Sequence, residues 1–196
     1  MGSRRMTLCR SHPTADSWLI RESGSGTRCN SGAMRVVTAT AADRPDMEAF
    51  LEQFHTRRVA RRRELVDATE HPALLALLGD ELVGVATYIV TNRECELLTL
   101  HAKNPQSGTG STLLSALVEV ARQASCDLLR VVTTNDNVDA LRFYQRRGFR
   151  LAELRAGAVA ESRQSLKPEI PLIGAYGIDL RDEIELEMYV GSAPPV

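Results

Sequence analysis

A glycine-punctuated loop, Asn104-Pro105-Gln106-Ser107-Gly108-Thr109-Gly110, separates the apolar run Cys95–Ala102 from Ser111–Ala124. The run before the loop has the length of a strand. The segment after it sets Leu113, Leu114, Leu117, Val118 and Ala121 on one helical stripe, and the short apolar strand Asp127–Thr133 follows. Strand, loop, helix and strand in this order argue for an α/β domain with a mixed sheet. Glycine lets the backbone take a positive φ and lets a ligand approach closely. The free N–H groups of the first helical turn, backed by the helix dipole, would then suit a phosphate or pyrophosphate. The same residues also read as a plain loop with a Ser/Thr N-cap. Two nucleotide motifs fail here. A Walker loop needs Lys where Ser111 stands, and the dinucleotide fingerprint needs Gly or Ala where Leu113 stands.

The rest of the 196-residue chain fits one folded unit. With 43% hydrophobic and 25% charged residues it is neither collagen-like nor wholly disordered. Its apolar runs are strand-sized, far short of the ~20 residues of a membrane span. A net charge of −1 gives no global attraction to nucleic acid or anionic membrane. Cys9, Cys29, Cys95 and Cys126 show neither C-x-x-C spacing nor disulfide-scaffold density, which fits a reduced, cytoplasmic compartment. Residues 1–33 are rich in Ser, Gly and Thr and carry five arginines against two acids; they read as a disordered, dispensable leader. The domain expected over 34–196 is net acidic, with 19 basic and 23 acidic residues.

Within it, Arg35–Ala39 reads as a strand. Asp43 and Pro45 open a helix with Met47, Phe50, Leu51 and Phe54 on one face. His55–Ala68, holding Arg57, Arg58, Arg61, Arg62 and Arg63, reads as helical or irregular. Ala73–Leu78 and Leu82–Thr91 form a hairpin about Gly79-Asp80-Glu81. Asn137–Arg147 is a helix ended by a left-handed Gly148, and Phe149–Leu154 is a strand. A long loop spans 155–181. In Asp182–Val190, Glu183, Glu185 and Glu187 alternate with Ile184, Leu186 and Met188, as in an antiparallel strand with one face in water.

The segment Asn137-Val138-Asp139-Ala140-Leu141-Arg142-Phe143-Tyr144-Gln145-Arg146-Arg147-Gly148-Phe149 closely resembles the cofactor-side motif N-x-x-A-x-x-[FL]-Y-x-x-x-G-F of the GNAT superfamily of acyl-CoA-dependent N-acetyltransferases. Leu98-Thr99-Leu100 followed by Gly108-x-Gly110 resembles the family's first motif, [QR]-x-x-G-x-[GA] after a strand. Pro105 stands at the usual Gln or Arg position, with Gln106 one place later. The resemblance covers roughly residues 35–190. It implies a single GNAT-like domain, a mixed and strongly twisted sheet flanked by helices, with fourth and fifth strands (Cys95–Ala102 and Asp127–Thr133) splayed to admit the pantetheine arm.

The resemblance further implies that an amine attacks acetyl-CoA directly in a ternary complex, with acetyl-CoA as co-substrate and no metal. An alkyl amine with a pKa near ~10.4 must first lose a proton, and the developing oxyanion needs a preorganised donor. Tyr144 is the matched candidate for protonating the leaving thiolate, and Glu96 the candidate base. The backbone N–H at a strand bulge near Leu100 would hold the oxyanion. Cofactor contacts fall on Leu98, Leu100, Gln106, Ser107, Gly108, Thr109, Gly110, Ser111, Asn137 and Tyr144. Plainer readings stand beside these: Tyr144 as a core aromatic, Asn137 as an N-cap, Glu96 as a charge on a solvated sheet face, His101 as an ordinary strand-end histidine, and Cys95 and Cys126 as small buried hydrophobes.

The arginines of 57–63 lie where relatives build the acceptor wall and would draw an anion, whereas Glu94, Glu96, Asp136 and Asp139 would favour a cationic amine. The acceptor, a small molecule or a peptide amine, is open on these cues. No nucleic-acid or membrane partner is expected, and the family allows a homodimer. A CoA-binding sensor without turnover is the competing class, kept open by Pro105. A nucleic-acid module led by the arginines is disfavoured by the acidic domain.

Overall fold

The computed structural model describes residues 33–191, so the reading of a dispensable leader falls almost wholly outside the described residues. Strand β1 (Met34–Thr38) is followed by helix α1 (Arg44–Glu52), β2 (Arg58–Arg61), β3 (Glu64–Asp67), β4 (Ala73–Leu78), β5 (Glu81–Thr91) and β6 (Glu94–Ala102). Helix α2 (Thr109–Gln123), β7 (Leu128–Thr134), α3 (Val138–Gln145), β8 (Arg150–Arg155), α4 (Ala158–Ser165) and β9 (Glu183–Tyr189) complete the order. Seven strands form one sheet in the order β1-β4-β5-β6-β7-β9-β8, and β2 pairs with β3 in a separate hairpin. The large sheet is mixed: β6 and β7 run parallel, and every other neighbouring pair is antiparallel.

Alternation along the strands sends two apolar sets to opposite faces. Ala86, Tyr88, Cys95, Leu97, Leu129, Val131 and Leu186 pack with Leu113, Leu114, Leu117 and Ala121 of α2 and with Tyr144 and Phe149. On the other face Val85, Leu75 and Ala73 pack with Met47, Phe50 and Leu51 of α1. These α2 residues belong to the helical stripe expected from sequence and are fully or almost fully buried, while Val118 of that stripe is partly buried.

Three expectations are corrected. His55–Ala68 is neither helical nor irregular: Arg58↔Asp67 through Arg61↔Glu64 pair as a two-stranded hairpin. Its turn residues Arg62 and Arg63 take left-handed φ values of 48° and 66°. The 155–181 stretch contains α4, which packs against β2. The glutamates of β9 do not face water, since Glu183 and Glu185 are each only 2% exposed.

Between β6 and β7 the ladder runs from Glu94↔Leu128 to Leu97↔Val131 and ends there, although both strands continue. The fourth and fifth strands of the large sheet thus part as expected. Opposite this point the β5–β6 register shifts: Thr87 pairs with Thr99 and Tyr88 with Leu97, leaving Leu98 as a bulge. A bulge re-aims the backbone and frees its polar groups from the ladder.

Candidate active site

The loop after β6 closes on itself before α2 begins. Ser107 N–H and Oγ both donate to the Asn104 carbonyl, at 3.4 and 2.7 Å, and Gln106 sits at φ 68°. Proline second and a left-handed residue third describe a type II turn, which is why Pro105 fits there. Gly108, at φ 87°, then caps α2, and its carbonyl accepts from Thr112 N–H at 3.0 Å. The N–H groups of Gly110 and Ser111 have no hydrogen-bond partner among the described residues. No acidic residue occupies the first turn. The positive end of the helix dipole is therefore open, and the donors it offers are backbone N–H groups.

Thr109 faces inward rather than toward a ligand. It is buried, its hydroxyl meets Ser107 Oγ at 2.9 Å, and its methyl rests over Gly84 on β5. Ser111 faces α3, where the Arg147 guanidinium donates to its Oγ at 2.5 Å. Arg147 also stacks on the Phe143 ring, 3.6 Å from its centroid, and Phe143 packs against Gly110. The two motifs singled out from sequence thus meet through Phe143 and Arg147. Arg147 was not foreseen; its guanidinium puts a positive charge beside the α2 N-terminus.

Tyr144 follows Phe143, edge-on to it at 5.2 Å, and lies in the core on the α2 face. It is 6% exposed, and burial holds its phenol proton more tightly than usual. Asn137 caps α3, its Oδ1 accepting from Ala140 N–H at 3.2 Å. Leu98 is the bulged residue of β6. Leu100, two positions on, pairs with Ala86 and packs against the α2-side core, so the irregularity lies nearer Leu98 than Leu100.

Glu96 points to the opposite face from Tyr144, under the β2–β3 hairpin. Its side chain is only 13% exposed, which corrects the reading of a solvated charge. Arg61 Nε stands 2.8 Å from Glu96 Oε1 but off the line of its N–H, so neither atom is hydrogen-bonded. Arg62 Nη1 is 3.4 Å from Oε2. Burial raises the Glu96 pKa, and the two guanidinium groups oppose that rise. Beside it, Glu185 accepts from three arginines: Arg155 at 2.5 Å, Arg62 at 2.9 Å and Arg130 at 3.0 Å. Burial pushes Glu185 up, but these cations outweigh it and hold the carboxyl below its ordinary value. Glu183 accepts from the Arg62 backbone N–H at 3.1 Å, and Arg130 also holds Glu94 at 3.0 Å. A cavity of about 460 Å³ opens here, lined by Arg61, Arg62, Glu94, Glu96 and Arg130 among others. The sequence signal for this network was the coexistence of an arginine run and a glutamate-alternating strand, more than a hundred residues apart.

His101 lies further along the same face, stacked 4.4 Å from Phe54 and bonded through Nε2 to Thr56 Oγ1 at 2.9 Å. Burial lowers its pKa to about 4, so the ring is neutral near pH 7. Cys95 is a buried free thiol whose pKa burial pushes up to about 12. Among the described residues no cluster of three or more His, Cys, Asp or Glu could hold a metal ion, and no helix is long and apolar enough to cross a membrane.

Residues 39–149 match the family model for the acetyltransferase (GNAT) family. A Bacillus subtilis protein, YdhI, itself uncharacterized, is 41% identical over 104 residues, spanning 53% of this chain and 64% of that protein. Among solved structures, the chain resembles an IAA acetyltransferase from Bacillus cereus with a TM-score of 0.64 at 22% identity, covering 80% of this chain and 99% of that one. It also resembles a GNAT family acetyltransferase from Elizabethkingia anophelis with acetyl-CoA bound (TM-score 0.58, 20% identity, 80% and 97% covered).

Proposed function

The chain belongs to the GNAT acetyltransferase family, and from that premise we propose that it moves an acetyl group from acetyl-CoA to an amine by direct attack in a ternary complex. The observation that carries this reading is the parting of β6 and β7 after Leu97 and Val131, beside a helix N-terminus with open N–H groups. The backbone at Gly108–Ser111 and the Arg147 guanidinium suit the pyrophosphate. The free β6 edge from Leu98 suits the amide-bearing pantetheine arm, which would pair with it as a short strand does.

In this reading the thioester lies in the gap, reached by Tyr144 from the α2 side and by Glu96 from the hairpin side. Glu96 takes the proton from the acceptor ammonium, directly or through water. A carboxyl raised by burial is a better base than an exposed one, and its arginine neighbours keep it ionised. The carbonyl oxygen gains negative charge as the amine adds, and a backbone N–H at the Leu98 bulge receives it. Tyr144, whose phenol stays protonated across the neutral range, returns a proton to the departing thiolate. The buried, reduced thiols Cys95 and Cys126 fit the cytoplasm as its compartment.

Calorimetry with acetyl-CoA, followed by thiol release against a panel of amines, tests the reading. Micromolar binding with turnover of at least one amine is the expected result. Absence of acetyl-CoA binding would overturn it.

A further inference from the structure

The sheet face opposite α2 is electrically incomplete without the hairpin. Its strands contribute Glu94, Glu183, Glu185 and Glu187, joined by ion pairs to only three sheet arginines, Arg130, Arg150 and Arg155, and Glu96, whose ion pairs are both to the hairpin. Glu153 at the outer edge, paired with Arg155, adds to the excess. Balance comes from the hairpin tip, where Arg61 and Arg62 reach Glu96 and Glu185.

That tip is held at a cost. Arg62 and Arg63 are consecutive residues with left-handed φ, a conformation that disfavours side chains bearing a Cβ. Arg61 lines the cavity and is nine-tenths buried, yet its Nε, 2.8 Å from Glu96 Oε1, has no hydrogen bond, and neither does that oxygen. The fit is thus imperfect at the atoms that meet Glu96, while the contacts beyond the tip are ordinary: Arg63 to Glu161 at 2.9 Å, and Lys167 to the carbonyls of His55 and Arg58 at 2.9 and 2.8 Å.

We propose that the Arg62 guanidinium occupies the cation position of the acceptor site, and that the acceptor is an amine with at least two positive charges that enters by lifting the hairpin tip, displacing Arg62 from Glu96 and Glu185 and Arg61 from Glu96. This inference rests on the transferase reading for its meaning, but not for its test. An incoming ammonium between those carboxylates restores what the lifted tip removes, and a second charge answers the carboxylate that Arg61 leaves. Singly charged amines cannot balance both. Glu185 stays paired with Arg130 and Arg155 throughout, so the sheet beneath remains intact while the tip moves.

The test uses the full chain with spermidine as probe, against sodium chloride at matched ionic strength. Hydrogen exchange of the amides in 58–67, followed by mass spectrometry, is expected to speed up several-fold with spermidine and not with salt. Arg62→Ala, which removes the internal competitor, is expected to bind spermidine about tenfold more tightly by calorimetry. Unchanged exchange, or no gain in affinity in Arg62→Ala, would overturn the proposal. Tighter binding of glutamate than of spermidine would overturn it too, in favour of an anion-binding arginine wall. Acetyl-CoA is titrated into the same samples. Loss of its binding with the exchange response intact would remove the transferase reading and leave the cation site standing.

Discussion

A Cβ on Gly84 would lie 2.6 Å from Cγ2 of Thr109, and 3.0 Å from both the His101 carbonyl and Leu113 Cδ1. The first residue of α2 is therefore seated directly on β5, and the seat is what aims the helix N-terminus at the gap beyond β6. In Gly84→Ala the carbonyl on β6 cannot yield, so α2 must shift. The expected loss is about 1–3 kcal/mol of stability, the usual range for overpacking, with acetyl-CoA affinity falling well beyond it. Denaturant melts beside calorimetry check both.

Gln106 lies at φ 68° in the third position of the turn ahead of that helix, where glycine is the unstrained residue. Relief of a left-handed side chain, about 1–2 kcal/mol, exceeds the entropy that glycine forfeits, about 0.5–1 kcal/mol. Gln106→Gly is expected to raise the unfolding free energy by a net of about 0.5 kcal/mol, read as a higher urea midpoint at unchanged slope. Acetyl-CoA affinity is expected to hold, because the anion site is backbone.

Tyr144→Phe removes a hydroxyl and leaves the packing. Turnover is expected to fall by about 10²–10⁴-fold, the range for a lost general acid, with acetyl-CoA affinity kept. The acid limb of kcat/KM is expected to follow Glu96, the proposed base. Burial raises that carboxyl, so activity should fall as the pH drops through a value above the ordinary ~4.3 of glutamate. Glu96→Gln should abolish that limb along with most of the rate. A limb that survives in the variant would assign the base elsewhere.

His101 gives a stability prediction with a definite sign. Its folded pKa, about 4, lies below the unfolded value of ~6.5. Its contribution is therefore full above pH 6.5 and drains away as the pH falls toward 4, when the unfolded chain takes a proton that the folded chain refuses. The loss amounts to at most about 3 kcal/mol. His101→Gln, which can keep a bond to Thr56, should flatten the unfolding free energy over that interval.

Local order carried most of what could be read from sequence. The α2 stripe, the α3 motif and the loop between β6 and α2 each state their chemistry within a dozen residues, and the structure joins them through Phe143, Arg147 and Gly110. The hairpin was illegible for the opposite reason. Val59 and Val66 do pair across it, but the turn is Arg62-Arg63, with no glycine or asparagine to mark it. Its stabilising partners are Glu96, Glu183 and Glu185, the last two more than a hundred residues away. The same distance hid the burial of the β9 glutamates, since alternation separates two faces without saying that a hairpin will cover one. Helix α4 went unseen because its sequence, Ala158-Val159-Ala160-Glu161-Ser162-Arg163-Gln164-Ser165, has too little apolar content for a stripe.

The position of β9 between β7 and β8 bears on how this protein leaves the ribosome. Strand β8 is synthesised before β9 yet has no neighbour in the sheet until β9 slots in beside it. Strand β9 also delivers Glu183 and Glu185, the counter-charges of Arg62, Arg130 and Arg155. A nascent chain that has emerged only as far as α4 lacks Leu186 of the α2-side core and leaves Arg62, Arg130 and Arg155 without their shared carboxylate, Glu185. Both faces of the sheet thus wait for one strand, the α2 side for a buried leucine and the hairpin side for two buried carboxylates.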